Sequence, residues 1–343
     1  MYKILLCRMD RSQIYGHQRD ALQESLKKIA NVTIVTNKLP NNINRGKYTK
    51  DLFDNKKVDY KIPPKLPQLL EKEDFDFIFV DCEISMFYFE PWKEINIPKI
   101  ATLHDIHASQ KTFEFIIKND FDLIINRYKN SLYDVLPEVK RYRDLIRWQP
   151  GCIDINFFKD YNEKKRYDVT MAGKVTNFYL LRKQIKDYFE KKSYFNYILR
   201  PKDNDPNAWP VNEDYAKLLN QSKICISTGG KYNYPFMKNY EITASNSMLM
   251  VNEFKELNEL GFFDENNFVS ITGNMQLNEE KMLEYLNNDL LRDYISTNGY
   301  YHTRRKHNSN YRAKEFINIL CDYKNINRTY PNIGVNQYVR KDT

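Results

Sequence analysis

The chain has 343 residues, 42% of them hydrophobic, and carries 53 basic against 45 acidic side chains for a formal charge of +8. That length accommodates about two domains with separate cores, and that apolar content excludes a disordered polyelectrolyte. The surplus of cations suits an anionic ligand or an acidic membrane surface and does not require nucleic acid as a partner. No run of about 18 apolar residues occurs, and the opening MYKILLCRMD is charged too soon for a secretory segment, so the sequence reads as soluble and cytoplasmic. Cys7, Cys82, Cys152, Cys225 and Cys321 are scattered, with no Cys-x-x-Cys pair, and read as reduced thiols in or near cores.

In chain order, Lys3–Cys7 reads as a buried strand, followed by the loop MDRSQIYGHQRD, a helix over about residues 18–29 and a second strand, Asn31–Thr36. This βαβ opening argues for a parallel sheet. It holds Gly16 beside His17 but no Gly-x-Gly-x-x-Gly, which excludes the dinucleotide fingerprint of a nicotinamide enzyme. Residues 39–67 read as a long polar loop with a short helix. Strands return at Phe75–Asp81, Pro98–His104 and Phe121–Asn126, the second running into Asp105, and a helix lies near Lys129–Val135. Residues 1–150 are therefore expected to form a doubly wound, Rossmann-like domain.

The Pro-Gly turn in WQPGCIDINFFKDYN, residues 148–162, marks a linker. A second set of elements follows: strand Tyr167–Ala172 with Gly173 as a turn, a helix over 180–190, strand Tyr194–Leu199, helix Glu213–Asn220, and strand Lys223–Thr228 with Gly229 and Gly230 behind it. Strand Asn267–Thr272 and two helices over about 279–298 and 311–323 close the set. Within it lies YPFMKNYEITASNSMLMVNEFKELNELG, residues 234–261. It has a proline at a helix start, Lys238 and Glu241 three apart on one helix face, and then the apolar strand Met248–Val251. A helix delivering a charged pair to the carboxyl end of a parallel sheet is a candidate ligand site. The plain alternative is a surface helix with a solvated Lys and Glu. The expected fold is α/β: a Rossmann-like domain over 1–150, a second over 163–320, a cleft between them, and a tail over 321–343 packing back on the first domain.

The linker PGCIDINFF resembles the Gly-x-Asp-x-x-x-Phe linker of group 1 glycosyltransferases with the GT-B fold. DVTMAGKV followed by Arg182, then YAKLLNQSKICIS, MKNYEITASNSMLMV and NGYYHTRRKHNSNYRAKEFINIL are similar, in that order, to blocks of the CgeB-like, spore-maturation type of that group. They cover about residues 167–320. The first half resembles the group more loosely, through the strand pattern, the Gly16-His17 loop and Leu103-His104-Asp105. The resemblance implies a nucleotide-diphosphate-sugar donor, a UDP-sugar first, and transfer with retention to a hydroxyl of a glycan, lipid or protein acceptor. It implies no cofactor and no metal, and no Asp-x-Asp element is read at a strand end.

On the same resemblance Glu241 takes the ribose hydroxyls, Lys238 stands for the family's arginine, and Lys174 and Arg182 face the leaving diphosphate with helix N-terminal amides. Tyr240, Gly173, Thr228 and Gly229 fall at the donor side of these blocks, and Gly16 would let the first loop approach the phosphates. His104 falls at the sugar or acceptor side, with Asp105 as the base that an inverting route would need. Beside these roles stand plainer ones: solvated cations, a core histidine, and His17 as a helix-start residue. Two departures are visible. GKYNYP before Glu241 lacks the acid many members carry, and Asn246 stands where a glycine is usual. The alternatives are a nucleotide-sugar-binding scaffold of polysaccharide assembly and a DNA-directed glycosyltransferase. The basic run Tyr300–Lys314 reads as a solvated helix flank, with an acceptor or peripheral membrane contact as its functional alternative.

Overall fold

A computed structural model describes residues 1–9, 20–37, 69–81, 92–103, 106, 109–198 and 213–324. The chain divides into two units, Met1–Pro150 with Ala313–Thr343, and Gly151–Arg312. Both are the parallel α/β layers that the alternation of strand and helix patterns predicts.

In the first unit the strands are β1 (Lys3–Met9), β2 (Asn31–Asn37), β3 (Phe77–Val80), β4 (Lys99–Leu103), β5 (Leu123–Asn126) and β6 (Ile146–Trp148). They lie in the order β2-β1-β3-β4-β5-β6, and every neighbouring pair is parallel. Strands β3, β4 and β5 are buried at every residue, which is why they read as unbroken apolar runs instead of alternating ones. Helices α1 (Asp20–Lys27), α2 (Gln110–Lys118) and α3 (Asn130–Val135) belong here. The long loop expected over 39–67 lies wholly outside the described residues.

The strands of the second unit are β7 (Tyr167–Ala172), β8 (Phe195–Ile198), β9 (Ser222–Ile226), β10 (Met248–Asn252) and β11 (Val269–Ile271), again all parallel, in the order β11-β10-β9-β7-β8. Its helices are α4 (Leu180–Phe189), α5 (Glu213–Asn220), α6 (Met237–Ala244), α7 (Lys255–Glu259), α8 (Met275–Asn287) and α9 (Asp289–Lys306). Val169, Met171, Ile224, Ile226, Met248 and Met250 of the sheet form one core with Ile185 and Phe189 of α4, Met282 of α8 and Ile295 of α9. The chain runs from β7 out to β8 and then back across to β9. The strand order therefore reverses between β7 and β9, and their carboxyl ends flank the crevice where ligands of such sheets bind.

Helix α10 (Ser309–Tyr323) corrects the expected boundary. Its Ala313, Phe316, Ile317 and Leu320 recur at helical spacing and are buried with Ile4, Leu6, Phe77 and Phe79 in the core of the first unit. The Phe316 and Phe79 rings lie 4.4 Å apart, and the Tyr2 hydroxyl is 3.6 Å from the Cys321 sulfur. Burial of Phe316, Ile317 and Leu320 contributes about 1.5–3 kcal/mol each. Residues 313–320, grouped with the second domain from sequence, thus belong to the first unit.

The two closing helices expected from sequence are three, because Asn288 separates α8 from α9: its side chain accepts from the Leu291 N–H at 3.1 Å, a local cap that competes with helix continuation. Burial pushes the Cys7 and Cys225 thiols up to about 12 and about 11, so both stay protonated and inert. Among the described residues no helix is long and apolar enough to cross a membrane.

Candidate active site

The carboxyl edge of the second sheet is crowded at Gly173, directly after β7. Its φ of +123° is one that only glycine adopts without strain. The neighbours enforce the same choice: a Cβ here would lie 2.9 Å from Arg182 Nη1 and 3.5 Å from Lys238 Nζ. The turn is tied to β8, since the Gly173 N–H donates to the Ile198 carbonyl at 3.1 Å and its own carbonyl accepts from the Tyr197 hydroxyl at 2.9 Å.

Arg182, on the first turn of α4, is 4% exposed. Its Nη1 donates to the Lys174 carbonyl at 2.9 Å, its Nη2 reaches Thr228 Oγ1 at 3.5 Å, and its guanidinium lies 4.0 Å from the centroid of the Tyr179 ring. Burial lowers its pKa, while Tyr179, Tyr197 and Tyr215 oppose that shift. Arginine starts so high that it remains a cation. A fixed, largely desolvated positive charge therefore bridges the ends of β7 and β9.

Helix α6 brings the second half of the group. Lys238 and Glu241 are one turn apart, and Tyr215 of α5 connects them. Lys238 Nζ is 3.5 Å from the Tyr215 hydroxyl, which is itself hydrogen-bonded to Glu241. Burial, then the Glu241 charge, raises the Tyr215 pKa well above its ordinary value, so the phenol stays protonated and donates to the carboxylate. Glu241 is 6% exposed. Phe236 opens the helix with extended backbone and no side-chain cap, so the amides of the first turn are set at its positive end.

Behind β9, Thr228 is buried, and the Gly229 N–H donates to Asn252 Oδ1 at 2.8 Å. Asn252 also donates to Asn233 Oδ1, and Asn233, at φ +50°, donates to the Glu253 carbonyl at 3.1 Å. The loop after β9 is thus clasped to the end of β10. Of the sequence-derived candidates, the structure brings together Gly173, Arg182, Thr228, Lys238 and Glu241, with Lys174 joined through its carbonyl and Gly229 next in the chain. The Lys174 side chain is exposed. Gly16, His104 and Asp105 lie outside the described residues. Tyr215, Tyr179 and Asn252 were missed: each is an ordinary residue of its own element, and only the fold sets it beside the charges.

Tyr240 points elsewhere. It is buried and stacked on His307, with ring centroids 4.6 Å apart and planes at 23°, and it also packs on Phe262. His307 Nδ1 accepts from Arg312 Nη2 at 2.7 Å, because a guanidinium can only donate, so Nε2 carries the proton and donates to the Leu260 carbonyl at 2.9 Å. Burial first, then Arg312 and His302, hold the His307 pKa well below its ordinary 6.5.

The unfolded chain takes up a proton below about pH 6.5 that the folded chain refuses, so stability falls as pH drops through that value. The expected slope is up to about 1.4 kcal/mol per pH unit from this group, flattened in His307→Gln. Urea unfolding of both proteins from pH 7.5 to 5.5 measures it, and parallel slopes would show that His307 is not the source.

Two parallel Rossmann-like sheets give the chain the α/β layering of the GT-B fold, and a buried guanidinium, a Lys-Tyr-Glu bridge and a helix N-terminus gather at the carboxyl edge of the second. Residues 155–318 match the family model described as "Glycosyl transferase-like". Sucrose-phosphate synthase from Thermosynechococcus elongatus has the same fold, with a TM-score of 0.67 at 12% identity, covering 95% of this chain and 100% of that one. Anabaena HepE in complex with UDP and glucose superposes with a TM-score of 0.60 at 12% identity, covering 94% of this chain and 100% of that one. S. aureus MnaA, in a co-structure with UDP, gives 0.52 at 13% identity, covering 96% and 99%. The chain is also 23% identical, over 93% of its length, to Protein TIC 214 from Aethionema cordifolium, of which it spans 16%.

Proposed function

We propose that the chain transfers a sugar from a nucleotide-diphosphate donor, a UDP-sugar, to a hydroxyl of a glycan acceptor, with retention and without a metal. The convergence of Arg182 and Lys238 on the glycine turn after β7, with Glu241 linked to Lys238 through Tyr215, carries this reading. Glu241, already oriented by Tyr215, accepts both ribose hydroxyls of the donor. Arg182, Lys238 and the N-terminal amides of α6 meet the diphosphate, with Lys174 reaching in from the turn after β7. As the glycosidic bond breaks, negative charge grows on the departing phosphate, and a cation held by buried hydrogen bonds stabilises that charge without reorganising.

In a retaining route the departing phosphate oxygen takes the acceptor's proton on the same face, so orientation and phosphate stabilisation supply most of the rate. The order of the blocks over about 167–320 supports the CgeB-like type within the class. Lipid and protein hydroxyls are the other acceptors this chemistry accommodates. Asp203 and Asp205 stand two apart in the segment after β8, outside the described residues, so metal independence is tested directly with EDTA.

The test is thermal melting of the protein against UDP, GDP, ADP and CMP, followed by turnover of the matching sugar conjugates with and without EDTA. A ligand at about 100 times its dissociation constant adds roughly 2.7 kcal/mol, enough to move the midpoint by several degrees. UDP is expected to give the largest shift. A flat response to every nucleotide would refute the donor site. The absence of an acid between Gly230 and Tyr240 favours a second reading, the nucleotide-sugar-binding scaffold, which predicts the same shift with no turnover.

A further inference from the structure

A cavity of about 330 Å3 opens on the second unit, and none of its lining residues belongs to the group around Gly173. Its size is at the lower end of the roughly 300–1,000 Å3 usual for small-molecule sites. One wall is a single face of α9, since Asn298, Tyr301, His302 and Arg305 stand at i, i+3, i+4 and i+7. The other is the turn at Asn266 and Asn267, and its own hydrogen bonds hold it in place. Asn267 Nδ2 donates to the Gly261 carbonyl at 2.9 Å and its Oδ1 accepts from the Phe263 N–H at 2.8 Å. Asn298 Nδ2 donates across the cavity's edge to Asn266 Oδ1 at 3.0 Å. Gly261, at φ +80°, lets the turn lie against His302, because a Cβ there would come within 2.5 Å of the imidazole.

The lining has a consistent chemistry. It contains no acidic side chain, and Arg305 and Lys306 supply two exposed cations. His302 registers their field: burial first, and then Lys306, Arg312 and Arg305, lower its pKa against the opposing bond to the Leu260 carbonyl. Tyr301 is 60% exposed and presents an amphipathic ring, while the bond between Asn298 and Asn266 leaves Asn266 Nδ2 as a donor and Asn298 Oδ1 as an acceptor for sugar hydroxyls. Cations alone would suit any anion. Cations beside a ring face and planar amides suit a charged sugar.

We propose that this cavity is a second ligand site that binds an anionic saccharide, a sugar ring bearing a phosphate or a carboxylate, with Arg305 and Lys306 on the anionic group and Tyr301 against the ring. The proposal does not depend on the donor site. Calorimetric titration of the full chain with glucose 6-phosphate, glucuronate, glucose and inorganic phosphate tests it, with melting curves confirming that each variant folds. Glucose 6-phosphate or glucuronate is expected to bind at least about tenfold more tightly than glucose or inorganic phosphate, and whichever binds names the anionic group. R305S/K306S should weaken that binding about tenfold or more, and Tyr301→Ala should remove the preference over inorganic phosphate. UDP binding should be unchanged in both, and saccharide binding should be unchanged in Glu241→Ala. Equal binding of glucose 6-phosphate and inorganic phosphate would reduce the cavity to a diffuse anion attractor and overturn the proposal. So would loss of binding in Glu241→Ala, persistence of binding in R305S/K306S, or no binding of either charged sugar.

Discussion

Glu241→Ala is expected to abolish the melting shift given by UDP and to lower transfer by at least about a hundredfold. A carboxylate holding two hydroxyls makes two charge-assisted bonds of roughly 1.5–3 kcal/mol each, and every 1.4 kcal/mol is about tenfold. The alanine variant has a second effect that must be separated from the first. Tyr215 is buried and donates to Glu241, so truncation leaves its hydroxyl without that acceptor, at a cost of about 1–3 kcal/mol of stability. Glu241→Gln resolves the two, because the amide oxygen still accepts from Tyr215 while the charge is gone. The glutamine variant should melt close to the wild type yet bind UDP about tenfold or more weakly. If it binds UDP normally, Glu241 is a packing partner of Tyr215 and the ribose assignment fails.

The contrast between Glu241 and Tyr240 shows what was legible in the sequence. Residues three apart share a helix face, and that spacing correctly paired Lys238 with Glu241. Tyr240, adjacent in sequence, turns away from that face onto His307, 67 residues further along. The strands were legible for the same local reason, since a parallel strand buried on both faces is an unbroken apolar run bounded by turn residues. What local pattern could not supply is which surface an apolar face will cover. The stripe Ala313, Phe316, Ile317, Leu320 reads equally well as cover for either sheet, and packing assigns it to the first. Nor could spacing find Tyr215, whose contacts with Lys238 and Glu241 follow from α5 and α6 lying side by side, or the break at Asn288, where one side-chain cap outcompetes helix continuation in an otherwise helical stretch. His104, Asp105 and Gly16 rest on the sequence alone.

Arg182→Lys is expected to keep the charge and still lose most of the activity. The guanidinium spans the Lys174 carbonyl and Thr228 Oγ1 while lying on the Tyr179 ring, three contacts that require a planar fork. An ammonium can meet one of the two oxygens at a time, so the charge remains but its position is no longer fixed. If Arg182 acts on the charge that develops on the departing diphosphate, kcat and kcat/KM should fall together, by about a hundredfold, with little change in KM. A rise in KM at unchanged kcat would instead make it a clamp on the bound donor. Gly173→Ala provides the complementary perturbation, because it leaves the guanidinium in the protein but pushes on it: the new Cβ would lie 2.9 Å from Nη1, at a backbone angle costing about 1–3 kcal/mol. That variant should therefore lose both stability and kcat, whereas Arg182→Lys, which introduces no backbone strain, should lose mainly kcat. If Gly173→Ala is destabilised but turns over at the wild-type rate, the position of the guanidinium does not matter to the chemistry, and the phosphate must be stabilised by Lys238 and the α6 amides instead.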